Sequence, residues 1–220
     1  MNTMLILSGG MDSATLLYDL LDRGDVVECI GVDYGQRHSR ELECAMRLCQ
    51  LTGCEFDVID LSGLGSMLTG SSQTDSSVAV PIGRYDEPSM KKTVVPNRNM
   101  FMLAAAGAVA IARGHDRLAY GAHAGDHTIY PDCRPDFVKA MSTAFTLCDW
   151  KRLELFAPYL DKTKGDICKI GLSLGVPYGE TWTCYAGGEV PCGECGSCTE
   201  RAEAFEDAGG VDPLMEGVNG

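Results

Sequence analysis

Apolar positions along this chain follow two rhythms. Short, mainly apolar runs occupy residues 4–7, 26–32, 56–61, 117–121 and 153–156. Runs of that length bounded by turn residues predict buried strands. Between them, apolar residues recur every three or four positions, which is the spacing of a helix face. Leu16, Leu17, Leu20 and Leu21 form one such face, and Leu42, Ala45, Met46 and Cys49 a second. A third starts at Asn97 and runs through Met100, Phe101 and Leu103 into an Ala/Gly-rich stretch ending at Arg113. Phe137, Val138, Met141, Phe145 and Cys148 mark a fourth, and Ile167, Ile170, Gly171 and Leu174 a fifth. A short last helix carries Arg201 and Phe205. Residues 62–95 show no period and are rich in Gly, Ser and Pro, so they read as a long functional loop.

Strands alternating with helices predict an α/β fold: a parallel, doubly wound sheet of about five strands, covered on both faces. Such sheets bind ligands at the carboxyl ends of their strands. The polar segments after strands one, two and four would meet there. The expected division is an α/β domain over residues 1–180 and a small C-terminal element over residues 181–220.

Composition narrows the partners. The chain has 220 residues and a formal net charge of −13, with no concentrated Lys/Arg tract. Phosphate backbones need clustered cations, so no nucleic-acid partner is expected. No apolar run approaches membrane-spanning length, and the first residues lack the basic segment of a signal peptide. The expectation is a cytoplasmic protein without a membrane partner. There are eleven cysteines. Seven lie scattered, mostly in apolar patterns, as small buried side chains.

The first strand runs into Ser8-Gly9-Gly10-Met11-Asp12-Ser13 and then a helix. Gly9 and Gly10 would let backbone amides approach a ligand closely. The helix start adds its orphan amides and its positive dipole end, and Ser8 and Ser13 add hydroxyls. This is a cradle for phosphates without the Gly-Lys-Ser/Thr of a Walker loop. Asp12 would cap the helix or hold a magnesium ion. At the other end of the chain Cys184 precedes Cys192, Cys195 and Cys198. Four thiolates fill a tetrahedral Zn(II) shell with no open position, the structural kind of site, although an iron–sulfur cluster also takes four cysteines.

The loop matches the Ser-Gly-Gly-x-Asp-Ser signature of PP-loop (N-type ATP pyrophosphatase) enzymes. Further segments follow in order: residues 34–38 (Tyr-Gly-Gln-Arg-His) with Glu41, residues 95–99 (Val-Pro-x-Arg-Asn), residues 130–134 (Tyr-Pro-Asp-Cys-Arg), Thr163-Lys164, and Thr181-Trp182-x-Cys184-Tyr185 before the cysteines and Arg201. As a set they resemble the 7-cyano-7-deazaguanine synthase family of the queuosine pathway, from Leu5 to Asp212. The resemblance implies ATP-dependent activation of 7-carboxy-7-deazaguanine, displacement by ammonia to an amide, and a second activation that yields the nitrile. It implies ATP with Mg(II) on residues 8–13, one structural Zn(II) per chain on the four cysteines, and a homodimer. On this reading Arg98 and Lys164 neutralise phosphate or the substrate carboxylate. Asp126 joins them as a substrate-segment residue, Asp132 accepts hydrogen bonds from the guanine-like edge, and Tyr130 or Trp182 stacks on the heterocycle.

Two departures fall in the substrate segment. The family commonly has Gly-Val-Asn where this chain has Gly121-Ala122-His123, and Asp-Tyr/Phe-Ser-Gly where it has Asp126-His127-Thr128-Ile129. They leave open an enzyme that stops at 7-amido-7-deazaguanine. A tRNA or base thiolase with the same loop is a further alternative, and a non-enzymatic zinc interaction module is another.

Overall fold

In the computed structural model, which describes residues 1–83 and 88–215, five strands form one parallel sheet in the order β3-β2-β1-β4-β5. They are β1 (Asn2–Ile6), β2 (Val26–Asp33), β3 (Glu55–Asp60), β4 (Arg117–Ala119) and β5 (Glu154–Phe156). The helices are α1 (Met11–Asp22), α2 (Arg40–Thr52), the single turn α3 (Ser62–Gly65), α4 (Arg98–Ala112), α5 (Pro135–Phe145), α6 (Lys164–Ser173) and α7 (Gly196–Ala208).

Side chains alternate across each strand, so β1 feeds two cores. Leu5 and Leu7 join Leu16, Leu17, Leu20, Ile167 and Phe205 on one face of the sheet. Met4 and Ile6 join Leu103, Ala106, Leu118, Met141 and Phe145 on the other. Burial on both faces is why β1 reads as an unbroken apolar run rather than an alternating one. Strand order reverses on either side of β1, with β2 to one side and β4 to the other. The crevice beyond the ends of β1 and β4 is therefore the topological switch point, where open α/β sheets bind ligands.

Several expectations are corrected here. Met46 is 49% exposed, and Leu48 replaces it on the buried face of α2 with Ala45 and Cys49. Cys148 lies beyond the end of α5 and is exposed. By length and composition the segment Ser89–Ala112 could cross a membrane. It contains α4, however, whose Leu103, Ala106, Gly107 and Ala110 are buried against the protein. The expected loop is not structureless. It holds α3 and a 3-10 helix, Pro88–Thr93. The Arg37 guanidinium donates to the loop carbonyls of Ser72 (2.9 Å), Asp75 (3.1 Å) and Val78 (2.7 Å). Those donors tie the loop backbone to the segment leading into α2. Residues 84–87 of this loop lie outside the described residues.

The C-terminal element is fastened by Arg201, which is 2% exposed. Its guanidinium donates to Asp212 (2.7 and 2.8 Å), Thr181 (2.7 Å), Thr183 (3.2 Å) and the Tyr178 carbonyl (2.9 Å). Ala204 and Phe205 of α7 complete the core beneath it.

Candidate active site

The segment after β1 folds on itself. Ser13 Oγ donates to the Gly10 carbonyl (3.1 Å) and accepts from the Ser8 N–H (3.3 Å), while Ser8 Oγ accepts from the Gly10 N–H (3.3 Å). Gly9 has φ of 87°, and a Cβ there would stand 2.0 Å from the Glu41 carbonyl oxygen. The glycine therefore does more than clear space for a ligand: it lets α2 pack directly on the loop. The Trp182 N–H donates to the Gly9 carbonyl (3.0 Å), which ties the C-terminal element to the same turn.

Asp12 does not cap α1, whose N-terminus has no side-chain cap. Its Oδ2 instead faces Lys164 Nζ (3.4 Å) and His123 Nε2 (3.6 Å). Lys164 is held by Glu200 Oε2 (2.5 Å), and His123 Nε2 also lies 3.5 Å from Asp126 Oδ2. Lys164 opens α6, a helix whose start is closed by a capping box between Thr163 and Asp166. A cation at a helix N-terminus opposes the dipole, and the surrounding carboxylates outweigh that. Burial works against charge throughout this cluster, and the opposite charges overcome it for three members. Lys164 and His123 hold the Asp12 carboxyl well below the usual range. Asp12, Glu200 and Asp126 push the Lys164 ammonium up. Burial lowers the proton affinity of His123, but Asp126 and Asp12 more than reverse this and bring it to about 9. The Gly125 N–H donates to His123 Nδ1 (3.1 Å), so the neutral ring carries its proton on Nε2, facing the carboxylates, and taking up the second proton on Nδ1 gives up this bond. Glu200 goes the other way: burial raises it beyond what Lys164 recovers.

One cavity joins this cluster to the Ser8–Ser13 turn. Ser8, Gly10, Met11, Asp12 and Ser13 line it, as do Arg98, Asp126, Lys164 and Trp182. Asp132 and Tyr130 do not line it. Asp132 Oδ2 accepts from the Asn99 N–H (2.9 Å) at the start of α4, where Asn97 makes no side-chain cap. Asp132, expected to read the base, thus lies outside this cavity and caps a helix start. Tyr130 bonds Thr93 Oγ1 (2.6 Å) and lies under the Arg98 guanidinium, 5.4 Å from the ring centroid. Its ring faces Arg98 and lies outside the cavity lining. Trp182 lies at the cavity edge, but its indole N–H donates to the Cys184 carbonyl (3.0 Å) and Arg40 covers its ring at 4.2 Å. That cover leaves less of the ring for a heterocycle.

The sulfurs of Cys184, Cys192, Cys195 and Cys198 all lie within 4.8 Å of one another. Backbone amides support the turn, with Cys192 N–H on Cys184 Sγ (3.3 Å) and Cys195 N–H on Cys192 Sγ (3.4 Å). Four converging sulfurs suit one tetrahedral metal ion. The long loop docks on this element through an antiparallel bridge between Ile82 and Cys195.

Sequence reasoning did not single out the wall residues Glu41, Gln73, Tyr120 and His123. Glu41 was visible only as part of a motif, and His123 only as a departure. Gln73, brought in by loop packing, and Tyr120, directly after β4, carried no signal, nor did Glu200, which does not line the cavity but holds Lys164 from the position two residues past Cys198. The side chain of His127 lies outside what the structure describes.

Residues 2–209 match the family model described as queuosine biosynthesis protein QueC. The chain is 56% identical over 214 residues to a 7-cyano-7-deazaguanine synthase of Methanoregula boonei, covering 97% of this chain and 98% of that protein. It is 52% identical to one of Caldicellulosiruptor saccharolyticus, covering 97% and 95%. Among solved structures it resembles a 4-thiouridine synthetase in complex with RNA and ATP, at a TM-score of 0.52 and 16% identity, over 98% of this chain and 53% of that one. It also resembles the NMN synthetase of Francisella tularensis, at 0.51 and 13%, over 97% and 79%. These distant structures share its fold.

Proposed function

The chain belongs to the QueC family, and from that premise we propose that it is a ligase converting 7-carboxy-7-deazaguanine and ammonia to 7-cyano-7-deazaguanine (preQ0) at the expense of ATP, through an activated carboxylate and an amide. The observation that carries this reading is one cavity at the switch point of the sheet, lined by the Ser8–Ser13 turn, Lys164 and Arg98 together.

A carboxylate resists amines because its oxygens leave poorly. Adenylation turns one oxygen into a good leaving group, and the protein's task is to place the partners and neutralise charge. The Ser8–Ser13 turn and the N-terminus of α1 bind the phosphates, with pyrophosphate leaving against them. Lys164 stays charged under Asp12 and Glu200 and faces the phosphate negative charge. Arg98, planar and propped on Tyr130, suits the substrate carboxylate. Asp12 Oδ1 is buried without a hydrogen-bond partner among the described residues, which fits a hard cation. A magnesium ion there would supply charge neutralisation to the phosphates. The four cysteines would hold one structural Zn(II), keeping Trp182 on the loop and Glu200 on Lys164. We place the division of the chain at residues 180/181, and read it as a cytoplasmic homodimer with small-molecule partners alone.

A thiolase would need a nucleophilic sulfur, or a cysteine-held cluster, open to the cavity, and none of Cys184, Cys192, Cys195 and Cys198 lines it. Cys133 lines it, but burial pushes that thiol well up, and Asn99 Nδ2 bonds its sulfur (3.1 Å). The second reading is an enzyme that stops at the amide, favoured by His123 standing in the wall where the family commonly has Asn. Product mass after incubation with 7-carboxy-7-deazaguanine, ammonium, magnesium and ATP decides: a nitrile mass is expected. An amide mass selects the second reading, and unconverted substrate removes both.

A further inference from the structure

Three buried polar atoms of residues in the cavity wall have no hydrogen-bond partner among the described residues: Asp12 Oδ1, Gln73 Nε2 and Tyr120 Oη. Asp12 belongs to the phosphate side. Gln73 is 5% exposed, and a buried amide N–H left without an acceptor is costly unless a ligand supplies one. The backbone of Gln73 is held firmly. Its carbonyl accepts the Arg37 N–H (2.8 Å) and its N–H donates to Ser71 Oγ (3.2 Å). Gln73 therefore hangs from the turn that leads into α2, four residues before Glu41.

Glu41 lines the same cavity from the first turn of α2. Its carboxylate accepts no hydrogen bond among the described residues. Gly9, pressed on the Glu41 carbonyl, fixes its height against the phosphate loop. The ionisable groups facing it are Arg98 from α4, Tyr34 from the end of β2, and Cys44 on its own helix; of these only Arg98 favours its charge.

We infer that Glu41 and Gln73 read the six-membered ring of the substrate, the Glu41 carboxylate accepting the ring N–H and the exocyclic amino group and the Gln73 amide donating to the ring carbonyl. This assignment rests on the substrate class proposed above. An aminopyrimidinone edge presents an acceptor followed by two donors. A carboxylate and a primary amide are the complementary pair, and each is in the wall unpaired. Burial has pushed the Glu41 carboxyl up to about 7, with Arg98 only partly offsetting it. Two N–H donors would favour the charged form. Binding therefore releases a proton and tightens as pH rises through about 7.

The test compares 7-carboxy-7-deazaguanine with its analogue lacking the exocyclic amino group, by steady-state kinetics on the wild type, Glu41→Gln and Gln73→Ala. Wild type should prefer the amino-bearing compound by about 10–100-fold in kcat/KM, the worth of a hydrogen bond to a charged group. Glu41→Gln should raise the KM for 7-carboxy-7-deazaguanine about tenfold or more, erase the preference, and flatten the dependence of KM on pH near 7. Gln73→Ala should raise KM and keep the preference. Calorimetric titration with ATP should give the wild-type Kd for both variants, which shows that they are folded. A Glu41→Gln enzyme that keeps the preference overturns the assignment. So does one that loses kcat at unchanged KM, which would make Glu41 a proton acceptor in the chemistry. A wild type that converts neither compound removes the substrate class, and this assignment falls with it.

Discussion

The two walls of the cavity are built in opposite ways. On the phosphate side, Asp12, His123, Asp126, Lys164 and Glu200 answer one another's charge within about one side-chain contact. On the other side Glu41 and Gln73 present polar groups that the described protein leaves without hydrogen-bond partners. The first wall has its ion pairs formed before any ligand arrives, with Asp12 Oδ1 alone left for a cation among its described carboxylates, as suits a site that must stabilise developing charge. The second is completed by its ligand, as a site that must discriminate should, because an analogue that fails to pair leaves buried groups unpaired. The Glu41→Gln experiment addresses the second wall directly. Three further measurements address the contrast between the two.

The largest effect is expected from Lys164→Ala. It removes the cation shared by Asp12 and Glu200, and kcat/KM should fall by roughly 10²–10³-fold, the scale of losing one preorganised charge-stabilising group. Steady-state kinetics at saturating ATP checks this. A loss of only a few-fold would mean that the wall's charge pairing is structural and not catalytic.

A change of intermediate size is expected from pH. His123 binds its proton more tightly in the folded protein, at about 9, than its ordinary 6.5. Its contribution to stability is therefore complete below about 6.5 and is lost as pH rises through about 9. Wild type should lose up to about 3 kcal/mol over that window. His123→Asn, the residue common in the family, should flatten the loss. Denaturant melts at several pH values measure it, and parallel curves for the two proteins would deny His123 its part in the prepaired wall.

The smallest effect is expected from Asp132→Ala. As a cap on α4 it should cost about 1 kcal/mol of stability and leave discrimination between the substrate and its deaminated analogue unchanged. A loss of that discrimination would return the base-reading role to Asp132 and weaken the contrast between the walls.

Much of this arrangement was legible in the chain alone. The phosphate turn follows from Gly9, Gly10 and the leucines of α1, and the cysteine quartet from its own short spacing. Both are local: residues close in sequence must be close in space. The helix contact of Asp132 was not legible for the opposite reason. Its motif neighbours pointed to the substrate, but the backbone start of α4, 33 residues away, takes its carboxylate. Met46 was misjudged because a helix face read from four residues is uncertain by one position, and Leu48 fills the place instead.

What the sequence determined by itself was the set of elements, their parallel winding and the two local motifs, since periodicity and short-range turns are dictated by backbone geometry. Only the tertiary structure decided which charges meet. Lys164 reaches Asp12 and Glu200 across distances of 152 and 36 residues, and Gln73 and Glu41 share a wall because Arg37 stitches a loop to the start of α2. Such encounters come from packing, and packing acts between side chains that sequence neighbours do not specify.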